Sequence, residues 1–105
     1  MSPVKRGHLL SASDAPATGE RTDAIARVRN LVVEQILSGH VEPVEYDQDE
    51  DELAVVLDGA AVLDVEGERV ELSAGEWVFL PARTRHRLLH TEPGTNWLTV
   101  KLYRE

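Results

Sequence analysis

From Val28 to the C-terminus the chain is cut into short, β-branched segments by turn residues, and that rhythm constrains the fold more than any other feature. The segments are Leu31-Val32-Val33, Ile36-Leu37, Val55-Val56-Leu57, Val62-Leu63-Asp64-Val65, Val70-Glu71-Leu72, Trp77-Val78-Phe79-Leu80, Leu88-Leu89 and Leu98-Thr99-Val100-Lys101-Leu102. They recur every ~8–12 residues, which is the pattern of an all-β domain, and no stretch after residue 30 keeps a helical period long enough to compete. Asp58-Gly59 and Glu66-Gly67 sit where tight hairpins need positive φ. Ser38-Gly39, Pro43, Ser73-Ala74-Gly75, Pro81 and Pro93-Gly94 punctuate the rest. About eight strands in so short a chain predict a small sandwich, jelly roll or barrel.

The first 27 residues differ in character. They are rich in Ser, Ala, Thr, Asp and Gly, contain Pro3 and Pro16, and have few branched apolar side chains. They read as an N-terminal arm or short helix, with residues 28–105 as the barrel. Asp14 is placed to cap one turn over Ala15-Pro16, and Thr22 or Asp23 to start another over Ala24-Ile25-Ala26. Met1 to Leu10 carries Lys5 and Arg6 but only Leu9-Leu10 as apolar follow-on, so it does not read as a secretory signal. No apolar run approaches the ~18 residues of a membrane span, and the expectation is a soluble, cytoplasmic protein. A chain of 105 residues without cysteine has no disulfide, thiolate metal site or cysteine nucleophile. Its formal net charge of −8 would repel a phosphate backbone, which argues against nucleic acid and anionic membranes as partners.

Two stretches carry chemistry. Tyr46-Asp47-Gln48-Asp49-Glu50-Asp51-Glu52 is followed after six residues by Gly59; Gly75 is followed by Pro81, His86 and His90 with five, four and three residues between them. In this order and spacing they resemble the two motifs of the cupin superfamily. Glu52 and Gly59 match the end of the first motif, and Gly75, Pro81 and His86 match the second. Tyr46 and Gln48 stand where the motif has paired histidines, Arg83 where it has glycine, and His90 where it has asparagine. The Tyr-x-Gln variant is similar to that of small single-domain cupins of uncertain function. The resemblance spans about residues 29 to 103 and implies an antiparallel cupin-like barrel (jelly roll). It also implies a homodimer, for which Leu31 to Leu37 and the arm are plausible interface elements.

Physical chemistry says why such a spacing builds a site. Tyr46 and Gln48 lie two apart, as do His86, Leu88 and His90, so within a strand each set shares one face. If the strands close into a barrel, both sets point inward and Glu52 joins them. Gln48, Glu52 and His86 then form a mixed O/N site suited to Mn, Fe, Co, Ni or Zn, with Tyr46, His90 and Arg83 around the pocket. A competing reading leaves the site without metal, with His86 and His90 hydrogen-bonded to Glu52 and Tyr46. The six carboxylates between Glu45 and Glu52 do not make an EF-hand, because Glu52 stands where that loop needs glycine. Arg83, Arg85 and Arg87 either neutralise the acidic turn or, for Arg83, hold an anionic substrate group. Trp77, Phe79 and Trp97 read as core or subunit interface. His8 lies in the arm and His40 in a turn, without partners at ligand spacing.

Three functions follow. The first is metal-assisted proton-transfer, lyase or isomerase chemistry on a small polar metabolite. The absence of paired histidines ranks such chemistry above oxygen activation. The others are a metal-free small-molecule-binding barrel and an accessory dimer without catalysis.

Overall fold

The computed structural model describes residues 4–104; Met1 to Pro3 and Glu105 lie outside it. A 3-10 turn, Ala12–Asp14, precedes nine strands: β1 (Glu20–Val28), β2 (Leu31–Ser38), β3 (Glu45–Tyr46), β4 (Asp51–Asp58), β5 (Ala60–Val65), β6 (Glu68–Ser73), β7 (Trp77–Leu80), β8 (His86–Thr91) and β9 (Thr95–Leu102). They form a five-stranded sheet in the order β1-β2-β9-β4-β7 and a four-stranded sheet in the order β3-β8-β5-β6, with every strand pair antiparallel. This is the cupin-like jelly roll that the strand rhythm and motifs predict. No helix among the described residues is long and apolar enough to cross a membrane.

Alternation along the strands builds the interior. Glu52, Ala54 and Val56 on β4 are buried, as are Thr95, Trp97 and Thr99 on β9, because every second side chain faces the opposing sheet. The core proper is Ala54, Val56, Ala61, Leu63, Leu72, Leu88 and Trp97, drawn from both sheets. Its burial supplies most of the driving force for closing the barrel, at roughly 25 cal/mol per Å² of apolar surface.

Three sequence expectations change. First, residues 20–28 are neither arm nor helix. They form β1, which pairs with β2 from Glu20↔Ser38 to Val28↔Leu31, with a bulge at Ile25. As an edge strand, β1 needs few apolar side chains, and pairing with the apolar β2 overrides its weak strand composition. Second, Asp14 ends a turn rather than starting one, and its Oδ2 accepts from the Ser11 N–H at 3.1 Å. Third, Asp58-Gly59 is not a hairpin: there the chain crosses from one sheet to the other. Gly59 has φ +96°, and a Cβ would collide with Thr95. Glu66-Gly67 is the expected two-residue hairpin, with φ of 51° and 86°. Of the three aromatic residues read as core or subunit interface, Trp97 lies in the core, while Trp77 and Phe79 are 63% and 52% exposed.

The segment before β1 is tied to the barrel by polar contacts. Gln35, fully buried on the outer side of β2, accepts from the Leu10 N–H at 2.8 Å and donates to the Leu10 carbonyl at 2.9 Å. Its amide also donates to Asn96 at 3.0 Å. Gly39 runs against the backbone of Pro16 and Ala17, where any Cβ would clash.

Candidate functional site

A cavity of about 270 Å³ opens between the sheets. Tyr46, Gln48, Glu52 and His86, four of the six predicted site residues, line it together with Glu20, Thr99 and Lys101. Each arrives by strand geometry. Glu52 and Lys101 are cross-strand partners on β4 and β9, and Tyr46 and His86 are partners on β3 and β8. Tyr46 stacks on His86 with ring centroids 5.4 Å apart and planes 22° from parallel. Apolar walls come from Ile36, Leu63, Leu80, Leu88 and Trp97.

The polar groups are specifically engaged. Gln48 donates its amide N–H to Glu52 Oε1 at 2.8 Å, which leaves the Gln48 side-chain oxygen and Glu52 Oε2 without hydrogen-bond partners among the described residues. His86 is buried, and its Nδ1 lies 3.0 Å from the Thr84 carbonyl. A carbonyl only accepts, so Nδ1 holds the proton and Nε2 presents a lone pair in the neutral ring. The hydrogen bond to Glu52 that the metal-free alternative gave His86 is not formed among the described residues. The remaining donor set is one imidazole nitrogen, one carboxylate and one amide oxygen. It fits a divalent transition ion that keeps water in its other positions. No three His, Asp, Glu or Cys side chains converge as metal ligands among the described residues, so such an ion would depend on Gln48.

His90 and Arg83 are not in the cavity. Two-residue parity puts His90 on the His86 face, but β8 carries a bulge. Leu63 pairs with Leu88 and Val62 with His90, so Leu89 is the extra residue. His86, Leu88 and Thr91 face inward while His90 turns out to solvent. Arg83 has φ 67°, the left-handed conformation that explains glycine at this motif position. Its guanidinium pairs with Asp49 at 3.0 Å and Asp47 at 3.1 Å, well exposed. It therefore neutralises the acidic turn, the structural alternative of the two weighed for it. His40 is exposed and lies 3.3 Å from Glu42.

Sequence reasoning missed Glu20, Thr99 and Lys101. Glu20 was hidden because its strand read as arm. Its carboxylate turns inward and Oε2 accepts from Ser38 Oγ at 2.7 Å, while Ser38 Oγ accepts from Trp97 Nε1 at 3.0 Å. Burial, reinforced by the charge of Glu52, raises its pKa above the ordinary carboxylate value. Thr99 and Lys101 had a usable signal, since both share the inward parity of Trp97. Lys101 Nζ lies 3.1 Å from Glu34 Oε1, with both side chains largely buried. Burial lowers the Lys101 pKa, but Glu34 and Glu52 outweigh it and the net shift is upward. The Tyr46 phenol is also pushed up, by burial and then by Glu20 and Glu52, so it stays protonated.

Comparison with known proteins agrees with this geometry. The profile of the family described as Cupin domain matches residues 32–100. A protein of Ralstonia eutropha JMP134, provisionally described as a mannose-6-phosphate isomerase, is 31% identical with a TM-score of 0.82, over 96% of this chain and 100% of that one. A cupin superfamily protein of Desulfitobacterium hafniense DCB-2 is 23% identical with a TM-score of 0.76, over 97% and 94% of the two chains. KdgF from a Halomonas species is 21% identical with a TM-score of 0.74, over 83% and 81%. No curated protein sequence matches the chain.

Proposed function

Since the chain belongs to the cupin domain family, we propose that its cavity acts on a small polar metabolite by proton-transfer chemistry of isomerase or lyase type, with a divalent transition ion held by Gln48, Glu52 and His86. The observation that supports this reading is the engagement of His86: its Nδ1 is committed to Thr84, which leaves the Nε2 lone pair free on a ring that lines the same cavity as Glu52 and Gln48. The isomerase description of the Ralstonia relative supports it. A bound ion would polarise a substrate carbonyl or lower the pKa of bound water. The chain's own residues supply the rest. Gln48 orients the Glu52 carboxylate, Tyr46 offers a protonated hydroxyl, and Glu20, with its raised pKa, can hold and return a proton.

The deciding experiment is elemental analysis of untagged, chelator-free protein beside the His86→Ala variant. Near-stoichiometric Mn, Fe, Co, Ni or Zn in the wild type, lost in the variant, supports the reading. No metal even after incubation with each ion leaves the second reading, a metal-free binding pocket, which the lack of three convergent His or carboxylate ligands among the described residues favours.

The assembly proposed with this function is a homodimer through the outer face of the five-stranded sheet. Leu53, Val55, Trp77, Phe79, Leu98 and Val100 are register neighbours there, and none is charged. These residues span three strands, since the arm covers β2 at Gln35; three strands ~4.8 Å apart and about four residues long give a face of about 200 Å² in plan. A patch of that size is the apolar centre of a larger interface whose rim comes from the polar residues around it. An uncharged flat face complements a second copy of itself, and the arm and the start of β2 lie at its border. Analytical ultracentrifugation should give a dimer, and Trp77→Glu a monomer.

A further inference from the structure

The charges around the cavity bear on which metabolites can enter. We propose that the cavity takes an uncharged, polyhydroxylated small molecule and excludes phosphorylated or carboxylated ones; this deepens the function proposed above and rests on the same cavity. A phosphate or carboxylate needs an available cation, preferably a guanidinium fork. Lys101, the one ammonium lining the cavity among the described residues, is already paired with Glu34, and no arginine among them lines it. Arg83 is held by Asp47 and Asp49, Arg87 lies 3.8 Å from Asp64, and Arg85 shares an outer cleft with Glu45 and Glu66. Glu20, Glu34 and Glu52 against Lys101 leave a formal charge of −2 around the site. A divalent ion at Glu52 would bring that to zero and not above it.

The same groups suit hydroxyls. Glu20 and Glu52 each spend one oxygen on a protein donor, Ser38 and Gln48, and keep the other as an acceptor. Thr99 is 1% exposed and lines the cavity, yet its Oγ1 has no hydrogen-bond partner among the described residues. A buried hydroxyl left unmatched costs about 1–3 kcal/mol, so this atom is suited to a group that enters from the cavity. Because the acidic groups come from three strands and do not converge, they suit several hydroxyls better than one ammonium head. Trp97, Leu63 and Leu88 provide the apolar surface on which the C–H faces of a sugar ring or polyol rest.

The test is a calorimetric titration with mannose, glucose, fructose and ribose and with the phosphate monoester of each. It is run on metal-free and manganese-incubated wild type, Thr99→Val and Glu34→Gln. At least one neutral sugar should bind saturably, with its phosphate ester at least about tenfold weaker. Thr99→Val should weaken that neutral sugar about tenfold while holding the unfolding temperature. Glu34→Gln, which frees Lys101, should tighten the ester and narrow the gap. An ester that binds wild type as well as its parent sugar, or no binding by any neutral sugar, overturns the proposal. If metal or turnover is absent while the metal-free protein still prefers the neutral sugar, the proton-transfer reading fails and this one stands.

Discussion

The two inner walls of the barrel are built to different rules. The four-stranded sheet turns Ala61, Leu63, Val70, Leu72 and Leu88 inward, interrupted by Tyr46, His86 and Thr91. The five-stranded sheet opposes them with Glu20, Glu34, Ser38, Glu52, Thr95, Thr99 and Lys101 interleaved with Trp97, Ala54, Val56 and Leu80. Some of these polar groups are structural: Thr95 Oγ1 donates to the Glu92 carbonyl at 2.6 Å, closing the turn before β9. Glu20, Glu52, Thr99 and Lys101 instead line the cavity. One wall holds the fold, and the other keeps a polar interior that a small barrel does not need for stability.

That division predicts opposite responses to mutation. Leu63→Ala removes a side chain that is 4% exposed from the apolar wall and should cost about 2–5 kcal/mol of stability by urea unfolding. Glu52→Gln on the facing wall keeps a polar partner for Gln48 and should change stability by less than about 1 kcal/mol, while reducing metal content. Equal losses from the two changes would erase the distinction.

The Lys101–Glu34 pair sharpens the comparison within the polar wall. Lys101→Met leaves Glu34 without a cation in a site where its side chain is 14% exposed, and should cost about 3 kcal/mol. Lys101→Met with Glu34→Leu removes both charges and should recover most of that loss, which a double-mutant cycle by thermal unfolding would measure. The pair also has a pH signature. The folded pKa of Lys101 is raised, so its stabilisation is present below its unfolded value of 10.5 and disappears as pH rises through the folded pKa.

What was readable beforehand follows the same division. The apolar wall was plain in sequence because β-branched segments between turn residues carry their own period, and the two motifs run in order across both sheets. Glu52 and His86 were found because motif spacing fixed them. Glu20 was not, because a strand of charged and small residues forms only when β2 is present to pair with it, and no local signal records that. Lys101 stood in view, but its inward parity could be used only with Trp97 already known to be buried.

Glu20 gives a smaller test, and one with a definite sign. Burial raises its folded pKa above 4.5, so the folded state binds the proton more tightly than the unfolded chain does. Its favourable contribution is complete below the unfolded pKa and is lost as pH rises through the folded one. Glu20→Gln should therefore raise the unfolding temperature at pH 7 and change it little at pH 4. A larger gain at pH 4 would show that the carboxylate is not buried against Ser38.

The smallest effect is expected at His90, and it isolates the bulge. Were Leu89 paired like its neighbours instead of bulged, His90 would share the cavity with His86 and matter as much to binding. With Leu89 taken up between the Leu63↔Leu88 and Val62↔His90 pairs, the imidazole points to solvent. His90→Ala should then shift stability by no more than about 0.5 kcal/mol and leave metal content and sugar affinity unchanged, whereas His86→Ala removes the only imidazole lining the cavity among the described residues. Deleting Leu89 tests the bulge itself. The deletion takes out the extra residue and leaves Leu63↔Leu88 and Val62↔His90 in regular register, so His90 still points out and Thr91 keeps its bond to the Gly39 carbonyl at 2.9 Å. That protein should keep the metal content and sugar affinity of the wild type, and a deletion that changed either would show that the bulge does not sit at Leu89.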